Sequence, residues 1–125
     1  MAQKNPPSQA ALVLIVDDDE AVVEITAEIL ETLGYDILTA RNGSEAVELL
    51  RKNSRISVLF TDVQMPGIGG EELAEIALTL RPGIRVVFTS GFQTPPGDVV
   101  FVPKPYRAVD LIRVLPPQPL PSLRS

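Results

Sequence analysis

Carboxylate side chains follow two short apolar stretches of this sequence, at the point where each stretch ends. Asp17 and Asp18 come directly after the run LVLIV, and Asp62 follows the run SVLFT. Such runs are typical of buried strands in a parallel sheet, and the carboxyl ends of neighbouring parallel strands meet at one edge of that sheet. We therefore expect these three residues to lie close together, as a magnesium site built from oxygen ligands.

Crowded carboxylates repel one another unless a cation is bound, so metal binding here is expected to be lost at low pH. The acidic run at residues 17–20 is also compatible with a solvated turn and a helix cap, which is how we interpret Asp19 and Glu20. The separate acid at Asp62, and Lys104 at the end of a later strand, favour the metal site over that alternative.

The composition limits the chemistry that this chain can perform. Its 125 residues are 45% apolar, which suits one domain with a substantial core. It has no cysteine and no histidine, so disulfides, thiol nucleophiles, imidazole bases and the common zinc ligands are excluded. The formal net charge of −5 argues against direct contact with nucleic acid or an anionic membrane. No signal peptide or membrane span is apparent, so a cytoplasmic location is expected.

Strand and helix patterns alternate along the sequence. Short apolar runs predict five strands, at residues 11–16, 35–40, 57–61, 84–89 and 99–102. Apolar residues at helical spacing predict four helices, at residues 20–33, 44–52, 70–80 and 108–115. This alternation implies a parallel sheet, because parallel neighbours need a crossover connection.

The apolar spacing also predicts which helix faces are buried. The first helix is expected to begin after a cap at Asp19 and to end at Gly34. The residues expected on buried faces are Val22, Ile25, Ile29 and Leu33 in the first helix, Ala46, Val47 and Leu50 in the second, and Leu73, Ile76, Ala77 and Leu80 in the third.

Both ends of the chain lack these patterns. Residues 1–10 are expected to be a flexible segment and residues 116–125 a proline-rich tail, which leaves residues 11–115 as the folded domain. The apolar residues Leu115, Leu120 and Leu123 could fold back or contact a neighbouring chain, so a homodimer stays open.

The connection between the fourth and fifth predicted strands is unusual. Residues 91–98 contain two prolines and two glycines, which oppose a helix. We therefore expect a loop where a further crossover helix would otherwise stand.

Several motifs in order along the chain are similar to those of a known family. They are Asp17-Asp18, TDVQMPGIGG around Asp62, Thr89-Ser90 and Lys104-Pro105. From about residue 12 to residue 115 the sequence resembles the receiver domains of bacterial two-component response regulators, often called CheY-like. The resemblance implies a flavodoxin-like α/β sandwich of three layers, with a five-stranded parallel sheet in the order 2-1-3-4-5. The composition of residues 91–98 departs from this family pattern and predicts that the fourth helix is shortened or replaced by a loop.

The same resemblance implies a chemical role for the residues at the strand ends. Asp62 would be phosphorylated by a sensor histidine kinase or a phosphotransfer protein, with Mg²⁺ or alternatively Mn²⁺ as the cofactor. The metal ligands would be Asp17, Asp18, Asp62 and the backbone carbonyl of Gln64. Lys104 would contact a phosphate oxygen as a point charge.

The residues expected to respond to phosphorylation are a hydroxyl and an aromatic. Ser90 is preferred over Thr89 as the hydroxyl that closes onto the phosphoryl group, because Ser90 precedes the small residue Gly91. A simple backbone hydrogen bond of Ser90 is the alternative. Phe101 corresponds to the family's switch aromatic, but without a hydroxyl its outward state would depend on apolar contact alone. Ordering of the 91–98 loop on activation is a further hypothesis.

Other functions stay open for this sequence. A haloacid-dehalogenase-type phosphatase also uses a strand-end aspartate and Mg²⁺, but it carries a second acid two residues later, where this chain has Gln64. A receiver that binds partners without phosphorylation is another alternative.

Tyr106 is either an interaction residue or a packing residue. We expect a signalling phosphoacceptor, not an enzyme, whose output is an unknown protein. Because the chain starts at Met1, a stand-alone regulator is preferred over an excised hybrid-kinase receiver.

Overall fold

Five parallel strands and four helices make up the part of the chain that the computed structural model describes, residues 11–91 and 99–117. The strands are β1 (Leu12–Val16), β2 (Asp36–Ala40), β3 (Ile56–Asp62), β4 (Arg85–Ser90) and β5 (Val100–Pro103). The helices are α1 (Glu20–Thr32), α2 (Gly43–Lys52), α3 (Gly70–Leu80) and α4 (Ala108–Val114). The strand order is β2-β1-β3-β4-β5, which confirms the predicted α/β fold. No helix in these ranges is long and apolar enough to cross a membrane.

Two apolar cores lie on the two faces of the sheet. Val13 and Ile15 of β1 belong to the core beneath α1 and α4, whereas Leu14 belongs to the core beneath α2 and α3. All five residues of β1 are buried, as expected for a central strand covered by helices on both faces. This strand ends directly before Asp17, so the rigid centre of the sheet carries the first acid of the predicted site.

The buried face of α1 is shifted from the predicted one, because Val22, Ile29 and Leu33 are only partly buried. Its buried residues are Val23, Thr26 and Leu30. The expectation that Ile25 faces inward was wrong, because its side chain is 57% exposed. Thr26 takes the interior position instead, and its hydroxyl donates a hydrogen bond to the carbonyl of Val22 at 2.7 Å. A threonine with a satisfied hydroxyl is tolerated in a core, which apolar spacing alone does not reveal.

The faces of α2 and α3 follow the prediction more closely. Ala46 and Leu50 are buried and Val47 packs against the same core. In α3 the buried residues are Gly70, Leu73, Ala74 and Ala77. Leu80 was wrongly expected on this face and is 38% exposed, since the buried stripe of α3 ends one turn earlier.

The helix ends depend on the predicted capping residues. The side chain of Asp19 accepts hydrogen bonds from the backbone N–H groups of Ala21 and Val22, which confirms it as the cap of α1. Gly34 has φ +97°, a left-handed conformation that glycine adopts without a steric penalty. Together these residues fix where α1 begins and where the chain turns towards β2.

Some sequence predictions lie outside the described residues. These are the flexible segment 1–10, the tail beyond residue 117, and the loop and its ordering at residues 92–98. Where the tail begins, Leu115 is buried in the core beneath α1 and α4, and the hydroxyl of Tyr35 donates to the carbonyl of Pro116 at 2.7 Å. Leu115 therefore folds back onto the domain.

Candidate functional site

The register of the sheet brings two strand ends to one edge. Val16 of β1 pairs with Thr61 of β3, so the residues that follow, Asp17 and Asp62, stand side by side. One carboxylate oxygen from each of Asp17, Asp18 and Asp62 lies within 4.8 Å of the other two. The structure thus brings together the three acids that the sequence singles out.

The three acids differ in exposure and in their hydrogen bonds. Asp17 and Asp62 are 2% and 7% exposed, whereas Asp18 faces solvent. Oδ1 of Asp17 accepts a hydrogen bond from the N–H of Asp19 at 2.9 Å, and Oδ1 of Asp62 accepts one from the N–H of Gln64 at 3.1 Å. Hydrogen bonds of this kind fix the orientation of a buried carboxylate.

Lys104 bridges the two buried acids. Its Nζ donates to Oδ2 of Asp17 at 2.8 Å and to Oδ2 of Asp62 at 3.0 Å. Burial alone would lower the pKa of Lys104, but the hydrogen bonds to Asp17 and then to Asp62 outweigh it and raise the pKa above its usual value. Lys104 is therefore charged at neutral pH. Its backbone N–H donates to the carbonyl of Ser90 at 2.9 Å, and its peptide bond to Pro105 is cis.

The donor set fits a magnesium ion. Mg²⁺ prefers oxygen ligands and is usually held by one or two carboxylates with several waters. Asp17, Asp18 and Asp62 supply such oxygens, and their negative charge exceeds the single positive charge of Lys104. Among the residues that the structure describes, no second group of three or more acidic side chains is arranged in this way.

Both candidate hydroxyl residues are buried at the end of β4. Ser90 is 3% exposed and pairs in register with Pro103, the residue before Lys104. Thr89 is 1% exposed and pairs with Asp62, and its hydroxyl has no hydrogen-bond partner within the described ranges. The role of Ser90 in preference to Thr89 stays a prediction.

Phe101 lies in β5 and pairs with Phe88 of β4. Its partly buried side chain packs against the core beneath α2 and α3. Its role as a switch aromatic therefore stays a prediction, with an apolar setting that suits a side chain without a hydroxyl.

Tyr106 packs against other side chains, one of the two roles that the sequence left open, and it also lines a surface cavity. Its ring meets that of Phe60 edge to face, with centroids 5.5 Å apart, and its hydroxyl lies 2.6 Å from Oγ1 of Thr26. It also lines an apolar cavity of about 430 Å³ beside Lys104, together with Ile25 and others. Burial raises the pKa of the Tyr106 phenol, so it is neutral at pH 7.

Two glycines lie close to the segment that follows Asp62, and the sequence did not predict these close contacts. A Cβ at Gly70 would lie 2.1 Å from the carbonyl oxygen of Asp62, and a Cβ at Gly43 would lie 2.6 Å from Cβ of Ile68. The N–H of Gly70 donates to the carbonyl of Val63 at 2.9 Å. The loop therefore folds tightly onto the site, and the repeated glycines of GIGG are the sequence signal for this close approach.

A flavodoxin-like α/β fold with an acidic cluster and a lysine at the carboxyl ends of its strands defines the class of this protein. The sequence profile of the family described as "Response regulator receiver domain" matches residues 13–114. The chain belongs to this family of two-component signalling domains, which are generally phosphoacceptors that bind Mg²⁺ and not catalytic enzymes. Membership also favours the signalling function over that of a haloacid-dehalogenase-type phosphatase.

The relatives that this chain matches differ greatly in length. The response regulator receiver protein CpdR of Brucella abortus is 31% identical over 108 residues, which cover 80% of this chain and 89% of CpdR. The sensor kinase CckA of the same organism is also 31% identical, but the match covers only 11% of that kinase. The crystal structure of the receiver domain of hybrid histidine kinase CckA superposes with a TM-score of 0.74 at 36% identity, covering 82% of this chain and 94% of that one.

Proposed function

We propose that Asp62 accepts a phosphoryl group from a phosphohistidine of a sensor histidine kinase or a phosphotransfer protein, and that this switches a contact with an output protein. The observation that carries the proposal is the bridge from Lys104 to Asp17 and Asp62, at 2.8 and 3.0 Å. A charged lysine and two neighbouring acids surround one oriented carboxylate, which is the arrangement that phosphoryl transfer to an aspartate requires.

The transfer would proceed by an in-line displacement. A carboxylate oxygen of Asp62 attacks the phosphorus atom, an O–P bond forms, and the P–N bond to the donor's imidazole breaks with its electrons on the ring nitrogen. The N–H of Gln64 holds the other carboxylate oxygen in place. Lys104 Nζ, already beside Asp62, would move its hydrogen bond to a phosphoryl oxygen and stabilise the charge that spreads there.

The metal would be held by Asp17, Asp18, Asp62 and the backbone carbonyl of Gln64. When bound, Mg²⁺, or Mn²⁺ in its place, neutralises negative charge on the transferred oxygens. Lys104 already contacts Oδ2 of Asp17 and of Asp62, so an ion held by the same carboxylates would weaken the attraction of Lys104 to them. The exposure of Asp18 leaves one side of the cluster open to solvent, so the ion can enter with its waters.

The response would begin at the end of β4. The hydroxyl of Ser90 is proposed to donate to a phosphoryl oxygen, because the backbone of Ser90 is tied directly to Lys104. Phe101 in the neighbouring strand would follow through its pairing with Phe88. The output is a protein contact made in the cytoplasm, by a receiver domain that comprises residues 11–115.

A surface next to the acids suits the phosphoryl donor. The apolar cavity beside Lys104 opens between α1 and the segment Pro105–Tyr106, and Ile25 on its rim is 57% exposed. The exposed face of α1 also carries acidic side chains, including Glu24 and Glu28. A donor that combines apolar side chains with lysine or arginine would complement this surface.

Intact-protein mass after incubation with acetyl phosphate tests the proposal. We expect one phosphoryl adduct on the native chain in the presence of Mg²⁺, and none without Mg²⁺ or in Asp62→Asn. Asp19→Asn is the matched control, because it removes a nearby carboxylate and keeps a good helix cap, so it should be labelled like the native chain. An adduct that persists in Asp62→Asn, or none on the native chain, would overturn the proposal.

A further inference from the structure

Tyr106 lies where three elements meet beneath the acidic site. Its ring packs against Phe60, which precedes Asp62 by two residues on β3. Its hydroxyl lies 2.6 Å from Oγ1 of Thr26, in the second turn of α1. Along the chain it follows Lys104 with only Pro105 between them. Tyr106 therefore contacts both β3 and α1 and lies two residues after Lys104.

The hydrogen bond between Tyr106 and Thr26 has a defined direction. A threonine hydroxyl has one proton, and that of Thr26 is donated to the carbonyl of Val22 at 2.7 Å. Tyr106 must therefore be the donor to Oγ1 of Thr26. The result is a chain of hydrogen bonds from the phenol through Thr26 to the backbone of α1, in which Thr26 is fully buried.

The backbone of Lys104 is held on both sides, by Ser90 and by the segment that leads to Tyr106. On one side its backbone N–H donates to the carbonyl of Ser90 at 2.9 Å. On the other side, Pro105 has a fixed φ and leads directly to Tyr106, which is bound to α1. The long side chain of lysine has many rotamers, so the accuracy of its ammonium position depends on how firmly the backbone at its base is held.

We propose that the hydrogen bond from Tyr106 to Thr26 positions Lys104 for phosphoryl transfer, so that Tyr106 is a positioning residue that acts through Lys104. The inference rests on the proposed function of Asp62 and deepens it. The hydroxyl of Tyr106 is hydrogen-bonded to Thr26 and not to the acids of the site. Its hydroxyl supplies the rigidity that holds the ammonium between Asp17 and Asp62.

The chain offers a matched control in its other tyrosine. Tyr35 is buried, and its hydroxyl donates to the carbonyl of Pro116 at 2.7 Å, where the tail begins. Tyr35→Phe removes a comparable hydrogen bond without touching the segment that carries Lys104. A loss of stability alone would therefore appear in Tyr35→Phe as well as in Tyr106→Phe, whereas a loss of Lys104 positioning would appear only in the latter.

The first experiment measures the rate of Asp62 phosphorylation by acetyl phosphate at saturating Mg²⁺. Tyr106→Phe and Thr26→Val should each slow it about five-fold, the factor that corresponds to one hydrogen bond, and the double variant should be no slower than the single ones. In a Lys104→Met background, Tyr106→Phe should have no further effect. Tyr35→Phe should match the native rate. An unchanged rate in Tyr106→Phe, or an equal loss with and without Lys104, would overturn the inference.

A second experiment does not depend on phosphorylation. Nuclear magnetic resonance detects a lysine ammonium directly when hydrogen bonds slow its exchange with water, as the bonds to Asp17 and Asp62 should do for Lys104. Tyr106→Phe should shift this signal and speed its exchange several-fold, and Tyr35→Phe should leave it unchanged. A signal that Tyr106→Phe does not alter would also overturn the inference. If the native chain takes up no phosphoryl group, the proposed function fails, and this signal still tests the positioning.

Discussion

Lys104 Nζ donates a hydrogen bond to Oδ2 of Asp62 at 3.0 Å while it also holds Oδ2 of Asp17 at 2.8 Å. The domain thus neutralises part of its own acidic cluster with an internal cation. A metal ion that binds the same oxygens would compete with this ammonium. The displaced ammonium could then contact an oxygen of the incoming phosphoryl group. Under the proposed function, Lys104 would therefore be both a competitor of the metal and a partner of the phosphoryl group.

Replacing Lys104 should separate these two effects. In Lys104→Met the affinity for Mn²⁺ should rise at least about ten-fold, because a hydrogen bond to a charged group is worth about 1.5 kcal/mol or more. The rate of phosphorylation should fall in the same variant. Titration with Mn²⁺, followed by electron paramagnetic resonance, measures the affinity. Lys52→Met, which replaces an exposed lysine, is the control and should keep the native affinity for Mn²⁺. An affinity for Mn²⁺ that does not rise in Lys104→Met would contradict the competition.

Adding or removing Mg²⁺ should change the stability of the domain. If the ion binds the folded cluster as proposed, Mg²⁺ at one hundred times its dissociation constant should raise the free energy of unfolding by about 2.7 kcal/mol. Chelation should reverse the gain. Asp17→Asn should largely lose this gain because it removes a buried ligand, whereas Asp19→Asn should keep it. Thermal unfolding across a Mg²⁺ series is the measurement, and an equal gain in both variants would place the ion elsewhere.

The loop after Asp62 should tolerate a side chain at one glycine and not at its neighbour. A Cβ at Gly70 would lie 2.1 Å from the carbonyl oxygen of Asp62, so Gly70→Ala should lower the free energy of unfolding by about 3 kcal/mol, as an overpacked site does. At Gly69 the nearest atom would be 3.6 Å away, and Gly69→Ala should cost less than about 1 kcal/mol. Urea unfolding compares the two variants, and similar losses would contradict the close approach.

High pH should destabilise the domain through its tyrosines. Burial raises the pKa of both Tyr35 and Tyr106, so the folded chain keeps phenol protons that the unfolded chain releases. Their contribution to stability is complete below the unfolded pKa of about 10 and is lost as the pH rises through the folded values. The chain has two tyrosines and no tryptophan, so phenolate absorbance reports on them alone. If phenolate appeared at the same pH in folded and urea-unfolded chains, folding would not raise the pKa of the tyrosines, and the predicted loss of stability would be contradicted.

Sequence reasoning found the strands and the acids because both follow local rules. An apolar run that ends in carboxylates marks a strand end, and parallel strands place such ends together, which led to Asp17 and Asp62. Local rules did not find the pairing of Thr26 with Tyr106, which are 80 residues apart. They also placed Ile25 inside and gave Gly70 no role in packing, since neither the partner of a buried hydroxyl nor a close backbone approach appears in a local pattern.

The most direct test of the central claim is chemical trapping of the phosphorylated residue. An aspartyl phosphate is an activated acyl group, which borohydride reduces so that the aspartate becomes homoserine. After incubation with acetyl phosphate and Mg²⁺, peptide mass spectrometry should find homoserine at position 62 and at no other aspartate. Homoserine at position 17 or 18, or its absence from position 62 in a chain whose intact mass has gained a phosphoryl group, would contradict the assignment of Asp62 as the phosphoacceptor.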